Sequence, residues 1–425
     1  MKDRIPRPAK NIYHFIVAFF AALFFRFPAR KLKVIGVTGT DGKTTTVNLT
    51  YHVLNEVGLK VGMISTLAAK IGENTYETGF HVTTPSAFVV QKYLRKMVDS
   101  GMEYAVLEVT SHGLDQYRVA FIPFLIGVIT NITQEHLDYH KSFKNYVLTK
   151  ARILSKVKYR VLNAEDPSFE KLKMMGTGQL VSFGGQGTDY FGEEIESFDQ
   201  FSNYIIYYRT KQKQLKTLSV SSRLLGEFNL LNILTTFAIG KILGLEDKKL
   251  VNAISSFPGV EGRMQEVLGG QDFRVFIDFA HTPHSIELAL KTLRKTTKNK
   301  LICVFGAAGE RDPSKRTLMG QIAAQLADLI ILTSEDPRTE NPAKIIEQIA
   351  KGVEKEGGNI NVKYWKVINR SEAISKAVSN LAATGDTVAI LGKGHEKTMN
   401  IAGKEYKWSD LEETKKAIEK RIKQI

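Results

Sequence analysis

The chain has 425 residues, of which 59 are lysine or arginine and 44 are aspartate or glutamate, so its formal net charge is +15. Because 43% of the residues are hydrophobic, two or three domains with sizeable cores are expected, and a disordered tail protein, a collagen or a disulfide miniprotein is excluded. The single cysteine, Cys303, excludes an internal disulfide and a thiolate zinc cage, so any metal would need oxygen or nitrogen ligands.

The N-terminal segment, residues 1–33, carries eight basic and one acidic side chain, a net of +7 around an apolar stretch from Phe15 to Phe25. A helix from Ile12 to Phe25 would be about 21 Å long, shorter than the ~30 Å of a hydrocarbon core, so no transmembrane span is expected. The absence of a small-residue cleavage site disfavours a secretory signal. We expect a helix buried against the domain that follows, and the alternative is a contact in the plane of a membrane surface.

A glycine-rich loop follows the first predicted strand, Lys33 to Val37, and opens a helix predicted to reach about Val57. Strand, glycine turn, Lys-Thr and helix is the arrangement that aims backbone N–H groups at phosphate, although the spacing departs from the strict P-loop. Lys43 would reach the terminal phosphates, and the Thr44 hydroxyl would bind Mg²⁺. The candidate ATP-binding residues of this loop are Gly39, Thr40, Asp41, Gly42, Lys43, Thr44 and Thr45.

The loop at 38–45 resembles the ATP loop of the Mur ligases, which join an amino acid to a peptidoglycan precursor. Further matches run along nearly the whole remaining chain and are similar to the MurE-type branch, which adds the third residue of the stem peptide. The resemblance implies an α/β fold, with a central P-loop-type ATPase domain built on a mostly parallel sheet and a C-terminal doubly wound, Rossmann-like domain. We therefore divide the chain into a basic and apolar helical segment 1–33, a central ATP-binding domain 34–258 and a C-terminal amino-acid-binding domain 259–425, with a Pro/Gly hinge at the second boundary.

Hydroxyl and acidic side chains cluster around the strand Tyr104 to Leu107. Glu108 lies at the carboxyl end of this strand, where a nucleotide-binding sheet places a metal ligand, and by resemblance it binds Mg²⁺. The alternatives are that the threonines at 83 and 84 are helix N-caps and that Arg118 forms a surface ion pair. The resemblance assigns binding of the muramoyl dipeptide to Thr83, Thr84, Thr110, Ser111, Gln116 and Arg118.

Two further residues take catalytic roles only through the resemblance. Residues 131–140 are similar to a segment whose first histidine binds a second magnesium, so His136 takes that role, with a structural histidine as the alternative. Residues 146–152 resemble a segment whose lysine is carbamylated by CO₂, so that Lys150 would become an anion that helps to hold Mg²⁺. The local pattern alone predicts that Lys150 is an ordinary helical surface lysine.

Four candidate residues lie in the two regions that follow. After strands predicted between 180 and 222, Asn229 and Asn232 share one face of a helix start, and by resemblance they lie beside the adenine, with helix capping as the alternative. Asp278 ends a predicted strand from Val275, and by resemblance it contacts the ATP ribose while Arg263 contacts the phosphates.

Three further predicted strands, which begin at 301, 329 and 387, indicate a second doubly wound sheet, and the loops after them should share one pocket. Arg311 and Arg338 could take the carboxylates of meso-diaminopimelate, while carboxylates could take its distal ammonium. Lysine would leave a buried guanidinium unpaired, which favours diaminopimelate over L-lysine. The candidate substrate residues of these loops are Arg311, Asp336, Arg338, Gly392 and Glu396.

Residues 335–338 read Glu-Asp-Pro-Arg, where diaminopimelate-adding members of the family have Asp-Asn-Pro-Arg. The arginine that is replaced in lysine users is kept here. The aspartate at 336 adds a charge at the position of the family's asparagine, so the stereochemical contact with the amino acid differs.

The resemblance implies a cytoplasmic, ATP- and Mg²⁺-dependent acid–amino-acid ligase of peptidoglycan synthesis, and we expect a monomer that binds no nucleic acid. An acceptor carboxylate on UDP-N-acetylmuramoyl-L-Ala-D-Glu would form an acyl phosphate with ATP, domain closure would bring up the amino acid, and its amine would then displace phosphate. Catalysis would depend on Lys43, Glu108, His136 and on Lys150 as its CO₂-derived carbamate.

MurE-type ligases usually carry a uridine-binding domain before the ATP loop, where this sequence has 33 residues. A lipid-linked or other acidic acceptor, with the apolar helix at the inner membrane face, is therefore an alternative to the nucleotide. A folylpolyglutamate-synthetase-like ligase and a non-catalytic ATP-binding scaffold are the remaining alternatives.

Overall fold

The computed structural model describes residues 7–78, 83–198, 201–210, 212 and 214–423. The chain forms two compact units. The first contains residues up to 196 together with 202–258, and the second contains residues from 259 onward together with the short segment 197–201. Each unit is built on its own sheet, and the two sheets share no strand.

The first unit alternates strands and helices. Its strands are β1 (Lys33–Thr38), β2 (Val61–Ile64), β3 (Ala69–Ile71), β4 (Asn74–Tyr76), β5 (Tyr104–Glu108), β6 (Phe124–Ile129), β7 (Tyr159–Asn163), β8 (Gln179–Gly184), β9 (Tyr190–Phe198), β10 (Phe201–Arg209) and β11 (Leu215–Ser222). Its helices are α1 (Arg7–Phe24), α2 (Lys43–Glu56), α3 (Ala87–Asp99), α4 (Ser111–Asp115), α5 (Leu137–His140), α6 (Phe143–Ala151), α7 (Phe169–Leu172), α8 (Glu227–Ile242) and α9 (Asp247–Ser255). Short 3₁₀ turns cover Pro28–Lys31 and Arg152–Leu154.

The eleven strands form one sheet in the order β11-β10-β9-β8-β7-β6-β1-β5-β2-β3-β4. The central strands β7, β6, β1, β5 and β2 run parallel, and their near-continuous apolar sequences suit burial on both faces. In β10, buried and partly exposed residues alternate, as expected for a strand with one face on the core. The parallel register pairs Val37 of β1 with Glu108 and Thr38 with Ile129, so the ends of three strands meet at one edge.

The second unit is a doubly wound sheet with an added hairpin. Its strands are β12 (Gln265–Glu266), β13 (Arg274–Asp278), β14 (Leu301–Phe305), β15 (Leu329–Leu332), β16 (Tyr364–Lys366), β17 (Thr387–Leu391), β18 (Thr398–Ile401) and β19 (Lys404–Lys407). Its helices are α10 (Pro283–Thr296), α11 (Ser314–Leu326), α12 (Pro342–Lys355), α13 (Arg370–Ser375), which continues as a π-helical turn Lys376–Leu381, and α14 (Asp410–Ile422). The main sheet has the order β12-β13-β17-β14-β15-β16, parallel except for β12. The predicted α/β fold class is confirmed.

Helix α1 corrects the expectation of a buried N-terminal helix. It packs against α3, and only its small side chains are buried, namely Ala18, Ala21 and Ala22. Its large apolar side chains are exposed, and Phe24 keeps 71% of its surface. None of the helices in the described part of the chain has the length and the apolar run needed to cross a bilayer.

Candidate active site

The phosphate loop lies between β1 and α2, and two of its glycines are required by close packing. A Cβ at Gly39 would lie 1.8 Å from the hydroxyl oxygen of Thr130, at the end of β6. Gly42 precedes α2 with a φ of +79°, and a Cβ there would lie 2.5 Å from the Asn232 amide oxygen. The loop therefore follows a path that only glycine permits at these two positions.

Side chains at the end of β6 hold the loop in place. The Thr130 hydroxyl donates to the Asp41 carbonyl at 2.7 Å, and the Asn131 amide oxygen accepts from the Asp41 N–H at 2.8 Å. The hydroxyls of Thr40 and Tyr146 lie 3.2 Å apart. These contacts fix the backbone N–H groups of the loop before phosphate arrives, which lowers the cost of ordering the site on binding.

Oxygen ligands suited to Mg²⁺ converge beside the loop. The Thr44 hydroxyl donates to Glu108 Oε1 at 2.8 Å, and the other Glu108 oxygen accepts from the Thr66 N–H at 2.8 Å. Asp41 Oδ2 is buried and has no hydrogen-bond partner among the described residues. In that part of the chain, no three His, Cys, Asp or Glu side chains are grouped so as to hold an ion alone. Hydroxyl and carboxylate oxygens such as those of Thr44 and Glu108 are ligands that Mg²⁺ prefers.

Lys150 on α6 is not the surface lysine that its local pattern predicts. Its side chain is buried, donates to the Gly39 carbonyl and lies 4.6 Å from the centre of the Tyr146 ring. Burial, with a smaller effect from the charge of Lys43, holds the pKa of Lys150 well below its usual range. A lysine with a lowered pKa has a larger neutral fraction, and the neutral amine is the form that reacts with CO₂.

His136 lies near the same tyrosine. Its ring centre is 6.3 Å from that of Tyr146 and 4.9 Å from that of His112. Its backbone is left-handed, with a φ of +56°, and its Nε2 lies 3.9 Å from a Glu135 oxygen. His136 and Lys150 therefore both lie near the Tyr146 ring, but the metal role of His136 stays a prediction.

Four of the predicted dipeptide-binding residues come together beside Glu108, namely Thr84, Thr110, Gln116 and Arg118. The Thr84 hydroxyl donates to the Glu108 carbonyl and lies 3.1 Å from the Thr110 hydroxyl. Arg118 donates to the Thr84 carbonyl at 2.6 Å and to the Gln116 side-chain oxygen at 2.7 Å. Arg118 is therefore held by neutral acceptors and keeps its charge available for an anionic acceptor.

Two details of this region differ from the alternatives considered from sequence. Helix α3 begins at Ala87 and its N-cap position is Ser86, so the threonines at 83 and 84 do not cap it. Thr110 instead caps the short helix α4, and its hydroxyl accepts from the Gly113 N–H at 3.0 Å. The Ser111 hydroxyl lies 3.0 Å from a ring nitrogen of His140.

The side chains of the two asparagines of α8 are hydrogen-bonded to each other. This excludes the alternative that they cap the helix. Asn232 donates to the Asn229 side-chain oxygen at 2.8 Å, and its own oxygen accepts from the Thr46 hydroxyl at 3.0 Å. Both side chains are buried. They connect α8 to the start of α2. The contact with adenine stays a prediction.

In the second unit, the predicted ATP residues lie at the end of β13. The Asp278 carboxylate accepts from the backbone N–H groups of Met264 and Ala280 at 2.7 and 2.8 Å. Burial raises its pKa despite the positive charge of Arg263. The Arg263 guanidinium lies 4.3 Å from the centre of the Phe279 ring.

The loops after β15 and β17 meet as predicted from their strand ends, but they contain an internal ion pair. Lys393 is fully buried and donates to Asp336 Oδ1 at 2.8 Å and to Glu396 Oε2 at 2.5 Å. The two carboxylates assigned to the substrate ammonium therefore already share a lysine. Asp336, Lys393 and Glu396 together carry a formal net charge of −1.

Other candidates in these loops are less enclosed. The Arg338 backbone is left-handed, with a φ of +53°, and its N–H donates to the Asn400 carbonyl at 3.0 Å. Arg311 is exposed and Arg338 is half-buried. Gly392 has a φ of +110°, and a Cβ there would lie 2.9 Å from Glu335 Oε2.

Comparisons with known proteins identify the family to which this chain belongs. Residues 37–240 match the Mur ligase middle domain, and residues 262–394 match the glutamate ligase domain of the Mur ligases. The UDP-N-acetylmuramoyl-L-alanyl-D-glutamate–2,6-diaminopimelate ligase of Thermosynechococcus vestitus is 38% identical over 95% of this chain and 80% of that protein. The chain belongs to the Mur ligase family. It is an ATP-dependent ligase, and ATP and Mg²⁺ belong to the chemistry of its family.

Further Mur ligases agree with this assignment. The protein of the same name from Aquifex aeolicus is 38% identical over 93% of this chain and 79% of its own length. A solved structure of a ligase of that name shares 30% identity with a TM-score of 0.64, over 92% of this chain and 79% of that one. The MurF ligase from Thermotoga maritima, at 18% identity and a TM-score of 0.69 over 96% of this chain and 84% of its own, supports the fold alone.

Sequence reasoning about this Mur ligase missed several residues that hold the site together. Thr130 and Tyr146 brace the phosphate loop, and Lys393 joins two substrate loops. Arg370 is buried in an ion pair with Asp410 and donates to the Leu391 carbonyl at 2.9 Å. The available signal for Thr130 was its position at the carboxyl end of a strand, whereas nothing in the local sequence marked Arg370.

Proposed function

We propose that the chain adds meso-diaminopimelate to the D-glutamyl residue of UDP-N-acetylmuramoyl-L-Ala-D-Glu with hydrolysis of ATP to ADP and phosphate. The acceptor carboxylate attacks the γ-phosphorus, which breaks the bond to ADP and gives an acyl phosphate. The amine of the amino acid then attacks the acyl carbon, phosphate leaves, and the amine loses a proton as the amide forms. The observation that carries the proposal is the braced phosphate loop beside the Thr44–Glu108 pair, in a chain 38% identical to a ligase named for this reaction.

The residues of the first unit suit the phosphoryl transfer. Lys43 lies at the start of α2, where its ammonium and the backbone N–H groups of the loop can hold phosphate oxygens. Thr44, Glu108 and the unpaired oxygen of Asp41 would hold Mg²⁺. When bound, Mg²⁺ would neutralise charge on the phosphates and favour attack at phosphorus.

The acceptor would lie against Thr84, Thr110 and Arg118. The Arg118 guanidinium, partly buried and bonded to neutral oxygens, would pair with an acceptor carboxylate. Hydroxyl groups at Thr84 and Thr110 would hold the amide groups of the dipeptide. Burial lowers the pKa of Arg118, which marks it as a charge that gains from an anionic partner.

The loops of the second unit support a diacid diamine as the amino acid. Arg338 would take the distal carboxylate, and the net charge of −1 on the Asp336–Lys393–Glu396 cluster would attract the distal ammonium. Lysine would satisfy the cluster but leave the guanidinium unpaired. The acidic cluster therefore recognises either amino acid, and Arg338 would discriminate between them.

We also propose that Lys150 is carbamylated. Its neutral amine would add to CO₂ to give an N-carbamate, with release of one proton, and the buried cation would become an anion. A carbamate beside Gly39 would offer oxygen ligands next to the Thr44–Glu108 pair. Its negative charge would attract the positive charge of Lys43. Carbamylation is measured by ¹³C NMR after incubation with ¹³C-bicarbonate, with Lys150→Arg as the control that cannot form it. A spectrum identical to that control would remove this part of the proposal.

The reaction is tested by ATP-dependent phosphate release with the UDP-linked dipeptide and either meso-diaminopimelate, L-lysine or no amino acid. We expect diaminopimelate to stimulate release at least about tenfold more than lysine, as unpaired buried charges discriminate strongly. Arg338→Lys should lose most of this preference and keep ATP binding, while the surface variant Arg294→Lys should keep both. Equal stimulation by lysine would refute the assignment of diaminopimelate.

A lipid-linked muramoyl dipeptide is the second candidate acceptor. The observation that favours it is the contact of the exposed helix α1 with the acceptor segment, since the Phe15 ring lies 5.3 Å from that of Tyr117, beside Arg118. Turnover of the lipid-linked and UDP-linked dipeptides under matched conditions decides between the two. Faster turnover of the UDP-linked substrate would exclude the lipid-linked acceptor as the preferred one.

A further inference from the structure

Helix α1 carries its large apolar side chains on the side that does not pack on α3, and all of them remain at least partly exposed. The side packed on α3 is made of small residues, and Ala18, Ala21 and Ala22 are almost fully buried. The opposite side, here called the outer face, consists of Ile12, Tyr13, Phe15, Ile16, Phe19, Phe20, Leu23 and Phe24, all at least 39% exposed. This is the reverse of an ordinary surface helix, whose outward side is polar.

The outer face is continuous. At 100° per residue, its eight side chains cover about half of the helix circumference. No charged residue occurs between Asn11 and Phe25 to interrupt it. Phe88 of α3 is also exposed and extends the face, with its ring centre 5.6 Å from that of Phe24. Apolar patches of this kind mark sites that contact a membrane or another molecule.

Basic groups border the outer face. Residues 7–33 contain six lysines or arginines and no acidic residue. The Arg30 guanidinium lies 4.4 Å from the centre of the Phe27 ring, which lies 6.5 Å from that of Phe19 on the outer face. Exposed Lys31 follows directly in the same 3₁₀ turn. An apolar face is thus combined with a positive rim at the C-terminal end of the helix.

This combination favours one occupant over the others. A second copy of the chain would bring two positive rims together, and like charges at an interface are unfavourable. An anionic bilayer satisfies both parts, because it takes aromatic side chains between its head groups and attracts lysine and arginine to its surface. The helix would lie in the plane of the membrane surface. Its outer face would contact the lipids, and the domain would cover the opposite side of the helix.

We propose that the outer face of α1 docks the protein on an anionic lipid bilayer. Docking by itself does not depend on the proposed reaction. If Arg118 binds the acceptor as proposed, docking also holds the acceptor site close to the bilayer, because Phe15 packs on Tyr117, the residue before Arg118, and Phe19 packs on Phe121.

The test is flotation of the full chain with phosphatidylcholine vesicles that contain or lack phosphatidylglycerol, at low and high salt. We expect binding to the anionic vesicles, weakened by salt and much weaker without phosphatidylglycerol. The double variant Phe20→Ser with Phe24→Ser should bind at least about tenfold less, since both rings are mostly exposed and would insert. Met174→Ser, at an 80% exposed apolar side chain elsewhere in the unit, is the matched control and should bind like the unchanged chain.

A second variant separates charge from apolar contact. Arg30→Gln with Lys31→Gln should weaken binding to anionic vesicles and remove most of its salt dependence. Circular dichroism and ATP binding verify that each variant is folded. The proposal is overturned if the unchanged chain does not float with anionic vesicles, if it binds neutral vesicles equally, or if the double phenylalanine variant binds as well. If light scattering shows a dimer that the same phenylalanine changes convert to a monomer, the outer face binds a second copy of the chain instead.

Discussion

Replacing Gly39 by alanine tests how the phosphate loop is held. The added Cβ would lie 1.8 Å from the Thr130 hydroxyl oxygen and 3.1 Å from its Cβ, so the threonine must move. Movement breaks the 2.7 Å bond from that hydroxyl to the Asp41 carbonyl. The change therefore acts on the packing between β1 and β6 and on the shape of the loop itself.

The expected cost follows from three effects. Overpacking costs about 1–3 kcal/mol, loss of the hydrogen bond costs about 1 kcal/mol, and the stiffer unfolded chain returns about 0.4–1 kcal/mol. The free energy of unfolding should therefore fall by about 1–3 kcal/mol, with weaker ATP binding. Because both tryptophans, Trp365 and Trp408, lie in the second unit, circular dichroism in a urea titration is the suitable measurement, together with calorimetric ATP binding.

A double-mutant cycle isolates the contact. In a Thr130→Ala background the clashing oxygen is absent, so Gly39→Ala should cost about 1–2 kcal/mol less than in the unchanged chain. Gly185→Ala is the matched control, because its Cβ would meet only the flexible end of Glu165 at 3.3 Å. The reasoning is refuted if Gly39→Ala costs the same in both backgrounds or no more than Gly185→Ala.

Three further variants probe other contacts. Tyr146→Phe removes the hydroxyl contact with the phosphate loop, and we expect the KM for ATP to rise about three- to tenfold, equivalent to about 1 kcal/mol, with the amino-acid KM unchanged. Lys393→Met leaves the Asp336 and Glu396 carboxylates without their shared buried cation and should lower the free energy of unfolding by about 3 kcal/mol in denaturant titrations. Burial lowers the pKa of His395 from 6.5 to about 3, so the unfolded chain binds a proton that the folded chain does not, and stability should fall by about 1.6 kcal/mol as pH drops from 6.5 to 5. His395→Gln should remove that part of the pH dependence.

Each of these variants has a control or a contrary outcome. Tyr406→Phe and Lys404→Met change exposed side chains of the hairpin β18–β19 and should leave ATP binding and stability unaltered. An unchanged KM for ATP in the Tyr146 variant would mean that the loop keeps its shape without this contact. For the histidine, stability curves between pH 5 and 6.5 that stay parallel in the variant and the unchanged chain would contradict the lowered pKa.

The local sequence was sufficient to predict the glycine loop between β1 and α2 and the fold class. Strand, glycine turn and Lys-Thr lie within fifteen residues of one another, so their spacing alone predicts where phosphate binds. The position of Glu108 could also be predicted, because an acidic residue at the end of a buried strand must lie at the edge where parallel strands end. These features depend on neighbours in the chain, which is why the sequence determines them directly.

Which side chains are buried, and which side chains they contact, depended on elements that are distant in sequence. Lys150 has the pattern of a surface lysine, yet α6 lies against the phosphate loop and buries its ammonium beside Gly39. Lys393 has one partner nearby, Glu396, but its bond to Asp336 of another loop could not be read from the local sequence. A pattern of side chains along one helix or loop does not determine which other segment covers it.

Helix α1 illustrates the same limit. Its polar residues Lys10, Asn11 and His14 share one side of the helix with the alanines, so hydrophobic periodicity favours packing of the opposite, aromatic side. The tertiary structure placed the alanines on α3, because small side chains permit close approach, and left the aromatic side chains outward. The sequence determined that this protein carries a basic, apolar helix before its ATP-dependent ligase domains, and only the packing decided that the large apolar side chains of that helix are exposed.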